Sequence, residues 1–267
     1  MATKQEIEIR SIVKSEISKY AVEFERRHIS ELADAEGVIN SKVHNIFVAA
    51  LGDETRFFSA LMRSLDSSLG SLVEGIALAV AEENFEVSRD VEGQLFKSQT
   101  AAIAQLLEQY KSRRKSPSER DYQRLRLMTS GAKSSKRHDS DYVLLNRKTG
   151  EYALIELKLG GDLDNKKARS EKEALLEQFC ILSNREGSKA KISLYFATGY
   201  NRYGEGKPWK QERVRQFFAP AELLIASDFW NFVTQSSSGY RIVLDEYNKN
   251  AGVIKNSIHA VKDAYIR

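Results

Sequence analysis

DYVLLNRKTGEYALIELK, residues 141–158, is the stretch from which the fold can be read. Tyr142–Leu145 and Ala153–Leu157 are short apolar runs of strand character, and Arg147–Gly150 between them has the composition of a turn. With the turn centred between Lys148 and Thr149, Asp141 falls opposite Glu156, their β-carbons roughly 5 Å apart. Lys158 points to the same face as Glu156, because side chains alternate along a strand. The hairpin thus gathers two carboxylates and one ammonium at the end of a sheet. A register shift of one residue would disperse them. Asp139 shares the parity of Asp141 and by the same rule falls opposite Lys158. Asp141 is preferred because it faces Glu156 and opens the apolar strand; Asp139 is the alternative.

Two carboxylates opposite each other repel unless positive charge lies between them. A hard divalent cation answers that need, and Mg²⁺ takes a few carboxylates together with waters and phosphate oxygens. A lysine beside it could orient an attacking water or help to deprotonate it. The set suits hydrolysis of a phosphodiester. A plain ion pair at a strand end, without catalysis, is the competing reading of the same residues.

Outward from the hairpin, KISLYFAT (191–198) and AELLIAS (221–227) read as further strands. SEKEALLEQFCILSN (170–184) places Leu175, Leu176, Phe179 and Leu182 on one helical face. A hairpin, a crossover helix and two more strands make an α/β core with a central mixed β-sheet flanked by helices. A helix, FWNFVTQ, follows with Ser227 or Asp228 as its cap. Upstream, residues 100–128 read as helix with a break at Ser116-Pro117. The first ninety residues read as helical throughout: 5–35, then 41–51 capped by Asn40 and ended by Gly52, then a third from Asp53. The expected division is a helical N-terminal region over 1–65, a candidate for dimerisation, and an α/β core with basic loops over 66–267, the two forming one structural unit.

Hydrophobic residues make up 42% of the 267, and only three are proline, which excludes a largely disordered chain. No apolar run reaches the roughly 18 residues of a membrane span, and the N-terminus lacks an apolar signal core, so a cytoplasmic protein is expected. Cys180 is the single cysteine, which rules out internal disulfides and thiolate-rich zinc sites. The four histidines show no metal-ligand spacing, and no G-x-x-x-x-G-K-[ST] loop is present, so no nucleotide cofactor is expected. Net charge is only +4, but the basic residues cluster: 111–126 (with Arg113 and Arg114), 133–138 (Lys136, Arg137) and 201–215 (Arg202, Lys207, Lys210, Arg213). Such clusters can follow a phosphate backbone, and those eight are the candidate DNA contacts. In the last cluster Tyr200, Tyr203 and Trp209 are interleaved with the charges.

Asp141 opening one strand and Glu156-Leu157-Lys158 on the next resemble the PD-(D/E)xK nuclease superfamily, with Ser140 where the motif's name has proline. The order of helix, hairpin, helix and strand is similar to that superfamily's core over residues 66–200. RSLDSSLGSLVEGIALAVAEE (63–83) looks like the first core helix of many type II restriction endonucleases, and the resemblance makes Glu74 a support for the metal site. It also implies that Asp141, Glu156 and the Leu157 carbonyl bind Mg²⁺ and that Lys158 serves the water and the phosphate. GGDLDN (160–165) resembles the turn after the catalytic strand, with Asp162 and Asp164 as turn caps. The activity so implied is Mg²⁺-dependent cleavage of double-stranded DNA at a short palindromic site by a homodimer. A repair or recombination nuclease of the same fold, and a non-catalytic DNA-binding protein, are the alternatives.

Overall fold

The structure, a computed structural model, describes residues 2–160, 163–187 and 189–266. Helix α1 (Lys4–Ser30) follows its periodicity: Ile9, Val13, Ile17, Ala21, Phe24 and His28 share one buried face. Thr3 caps it, accepting from the Glu6 amide at 3.2 Å. The single helix expected over 41–51 is not formed. Asn40–His44 make a 3₁₀ turn, and α2 (Ile46–Ala49) is one turn capped by Asn45. Asn40 instead donates to the carbonyls of Glu31, Leu32 and Asp34, closing the end of α1. Helix α3 (Asp53–Ala81) runs without a break through Gly70. By length and composition it could cross a membrane, although it contains no uninterrupted apolar run of that length. The same composition belongs to a helix packed on one side, and Phe57, Ala60, Leu61, Leu72, Ile76 and Ala77 are buried.

Strand β1 (Phe85–Phe96) corrects the expectation that the first ninety residues are all helical. Of its twelve residues only Phe85, Val91 and Leu95 are buried, so the apolar signal is thin. Helices α4 (Lys97–Lys111) and α5 (Glu119–Leu127) follow, separated near Pro117. Strand β2 (Lys133–Asn146) is longer than the run at 141–146 and takes in the basic cluster at 133–138. Strand β3 (Tyr152–Lys158), α6 (Asn165–Glu186), β4 (Ile192–Thr198), α7 (Glu212–Arg215), β5 (Leu223–Ile225) and α8 (Ser227–Thr234) complete the α/β part. A last helix, α9 (Gly239–Tyr265), has no counterpart in the sequence reading.

The sheet order is β1-β2-β3-β4-β5, antiparallel from β1 to β3 and parallel from β3 to β5. On one face Val91, Leu95, Val143, Leu154 and Phe196 pack with Leu107 of α4 and Leu176 and Phe179 of α6. On the other, Tyr142 meets Phe229 of α8 and Tyr195 meets Phe232. Two compact units result: residues 1–80 with 241–267, and 81–240. Residues 66–80, placed with the nuclease core in the sequence reading, thus belong to the helical unit. In that unit Val261 of α9 joins Phe24, Phe57 and Leu61, Arg10 bonds Glu246 at 3.2 Å, and the Tyr265 hydroxyl donates to the His28 carbonyl.

Candidate active site

The hairpin has the register centred on Lys148–Thr149: Tyr142 pairs with Ile155, Val143 with Leu154, Leu144 with Ala153 and Leu145 with Tyr152. The Asn146 amide on the Glu151 carbonyl and the Gly150 amide on the Asn146 carbonyl, both 2.9 Å, close the turn. Beyond Ile155 a side chain takes over from the ladder. The Leu157 amide donates to Asp141 Oδ2 at 2.8 Å, fixing that carboxylate against the end of β3. Lys158 Nζ donates to Glu156 Oε1 and stands 3.5 Å from Glu171 Oε1 on α6.

Glu156 is 8% exposed. Burial, reinforced by the Asp141 charge, raises its carboxyl to about 8, although Lys158 acts the other way. Burial alone would lower the Lys158 ammonium, but Glu156, Glu171 and Asp141 together raise it, so the lysine stays charged. At the next turn of the chain the Leu159 carbonyl accepts from the Gly199 amide, and a β-carbon on Gly160 would fall 2.5 Å from the Tyr200 hydroxyl. A larger residue at 160 would have to displace the exposed Tyr200 ring. Gly161 and Asp162 lie outside the described residues. Asp164 caps α6, accepting from the Lys167 amide at 2.8 Å.

Asp141, Glu156 and Glu171 therefore bring three carboxyl groups to one ammonium, of which Glu156 alone is buried. Among the described residues no three His, Cys, Asp or Glu side chains are grouped so as to hold a metal ion by themselves. A donor set of two hairpin carboxylates fits Mg²⁺, a cation that keeps several of its waters. In sequence, residues 5–251 match the family described as type II restriction endonuclease, HinfI. The chain belongs to the HinfI family of type II restriction endonucleases. Comparison with curated proteins gives no match.

Membership in the HinfI family makes the chain a site-specific deoxyribonuclease, a hydrolase whose substrate is double-stranded DNA. For a HinfI-family enzyme the whereabouts of the other expected residues then matter. Arg113 and Arg114 are exposed just past α4, Arg113 in left-handed backbone at φ 54°. Arg202, Lys207, Lys210 and Arg213 are exposed along the segment after β4. Trp209 anchors that segment, its ring 6.0 Å from Phe196, while Tyr200 and Tyr203 remain exposed. Lys136 is committed to Glu177 of α6, at 2.7 and 2.8 Å from its two oxygens, and Arg137 to Asp90 at 3.3 Å. The pair engages two of the three N–H donors of Lys136.

The β2–β3 ladder ends at Tyr142–Ile155 and pairs neither Asp139 nor Lys158; the partner of Asp139 is on the other side of β2. Asp139 sits in the β1–β2 ladder across from Asp90, because two steps on β1, from Ser88 to Asp90, span four on β2, from Val143 back to Asp139. That bulge is what breaks the parity assumed for Asp139 and Asp141. Glu74 stands half-buried on α3, in the helical unit. The sequence reading missed Glu171 and Glu177. Both lie on α6, and only the crossing of that helix over the sheet brings them to the hairpin strands.

Proposed function

We propose that this enzyme is a cytoplasmic, Mg²⁺-dependent homodimer that cuts both strands of DNA at a short palindromic site, using Asp141, Glu156 and Lys158. The observation that carries the proposal is the convergence at the end of β3: the Leu157 amide on Asp141 beside Lys158 on Glu156. Asp141 and Glu156 would hold the metal, with the Leu157 carbonyl as a further oxygen. When bound, Mg²⁺ supplies Lewis acidity toward the phosphate and acidifies a water. Lys158 orients the water and offsets charge on the phosphate, a task for a permanently charged ammonium. Arg113, Arg114, Lys136, Arg137, Arg202, Lys207, Lys210 and Arg213 supply phosphate or base contacts. The helical unit is the dimerisation surface; Ile46, Phe47 and Leu51 are 70, 81 and 66% exposed, which supports that assignment.

Incubating the purified enzyme with plasmid DNA and Mg²⁺, beside Glu156→Ala and Lys158→Ala, tests the proposal. Discrete fragments are expected from the wild type and intact plasmid from both variants. Fragments from all three proteins would refute the assignment. Nicking, or cleavage confined to branched DNA, would favour a repair function instead. Glu74→Gln in the same assay tests the supporting role that the resemblance gives to Glu74.

A further inference from the structure

We infer that Glu171 is a positioning residue for Lys158, one that holds the ammonium at the end of the sheet when Glu156 turns to a cation. The inference rests on the assignment of Asp141, Glu156 and Lys158 to the site. Lys158 Nζ lies between two carboxyl groups, bonded to Glu156 Oε1 and 3.5 Å from Glu171 Oε1. A Glu156 oxygen given to a cation is lost to Lys158. Without a second counter-charge the long lysine side chain would be left with a repelling cation and free rotamers. Glu171 supplies that counter-charge from a separate element, so the ammonium keeps its place while its first partner changes.

The orientation of Glu171 is fixed by its neighbours. Lys172, the next residue, is fully buried; its ammonium lies 2.9 Å from Glu222 Oε1 and donates to the Tyr122 hydroxyl at 2.8 Å. Its charge also sits over the Tyr122 and Phe218 rings, at 4.7 and 4.6 Å. Ala168, Leu175 and Leu176 are buried on the same helix. With 172 tied on one side and 168, 175 and 176 in the core, α6 cannot rotate, and residue 171 is turned to the β3 end. The Glu222 carboxylate that ties Lys172 also accepts from the Ala219 amide, so the tie belongs to the folded loop before β5.

The test compares Glu171→Gln with Glu173→Gln, which removes the same charge from the same helix. In wild-type enzyme loaded with Ca²⁺, so that Glu156 is given to the cation, Lys158 should be slow to react with an amine-acylating reagent, read by mass spectrometry against Lys191 as an internal standard. Glu171→Gln is expected to speed labelling of Lys158 severalfold and to lower kcat on plasmid DNA by about 10–100-fold with KM unchanged, the usual cost of losing an orienting partner. Glu173→Gln should do neither. Should Glu171→Gln fail to fold, Glu171→Asp, which keeps the charge one methylene short, should show intermediate labelling and rate. Wild-type kcat for Glu171→Gln overturns the inference, as does a loss of rate with Lys158 labelling unchanged, or an equal loss from Glu173→Gln. Cleavage by Glu156→Ala and Lys158→Ala would instead overturn the site assignment itself.

Discussion

At Glu156, burial and the charge of Asp141 both favour the protonated carboxyl, and a definite effect on stability follows. Its folded value, about 8, is above the unfolded one, so the native state holds a proton that the unfolded chain has already released. The stabilisation this gives is complete below the unfolded value near 4.5 and is lost as pH rises through 8. Metal-free enzyme should therefore melt at lower temperature at pH 9 than at pH 6. Glu156→Gln should flatten that dependence and raise the pH 9 midpoint by ~2–4 °C for each kcal/mol of repulsion relieved. Mg²⁺ should narrow the gap between the two proteins at pH 9. Differential scanning calorimetry at both pH values checks each point, and identical pH profiles for the two proteins would contradict the account.

Among the elements, α6 has the most to do, because it ties the sheet to the segment before β5 through the buried Lys172–Glu222 pair. Removing one member leaves an uncompensated buried charge, so Lys172→Ala should cost about 3–5 kcal/mol in denaturant unfolding. A loss under 1 kcal/mol would mean that water or rearrangement replaces the lysine. The elements that could be read in the sequence are those with a dense apolar pattern. β3, β4 and α6 were all legible, and so was the hairpin register, set by the Arg147–Gly150 turn. β1 was not, because FEVSRDVEGQLF buries three side chains and leaves most of the others to solvent. The placing of Asp141 could be derived from the turn, whereas Glu171 depends on where a crossover helix lies, which no local pattern encodes. The bulge that sets Asp139 across from Asp90 is likewise invisible until β1 is known to be a strand.

At the scale of the whole molecule, the basic residues and the exposed apolar side chains make separate predictions. Arg202, Lys207, Lys210 and Arg213 are exposed, so each alanine substitution that removes a phosphate contact should lower the salt dependence of DNA binding by about 0.9 in log–log slope. Titrations with Ca²⁺ in place of Mg²⁺ would give those slopes; an unchanged slope clears that residue of phosphate contact. Phe47, 81% exposed on α2, should be covered in the proposed dimer, and Phe47→Asp should shift sedimentation toward the monomer. A dimer of undiminished strength would place the interface elsewhere. The helical unit is made of residues 1–80 and 241–267, with the α/β unit between them in the chain. During synthesis the whole sheet, with Asp141, Glu156 and Lys158, leaves the ribosome before α9 does. Phe24, Phe57 and Leu61 wait for Val261 to complete their cluster. On the proposal that the helical unit carries a dimer surface, a nascent chain would complete the proposed cutting site before it could pair, and a host genome would meet paired sites only after α9 has docked.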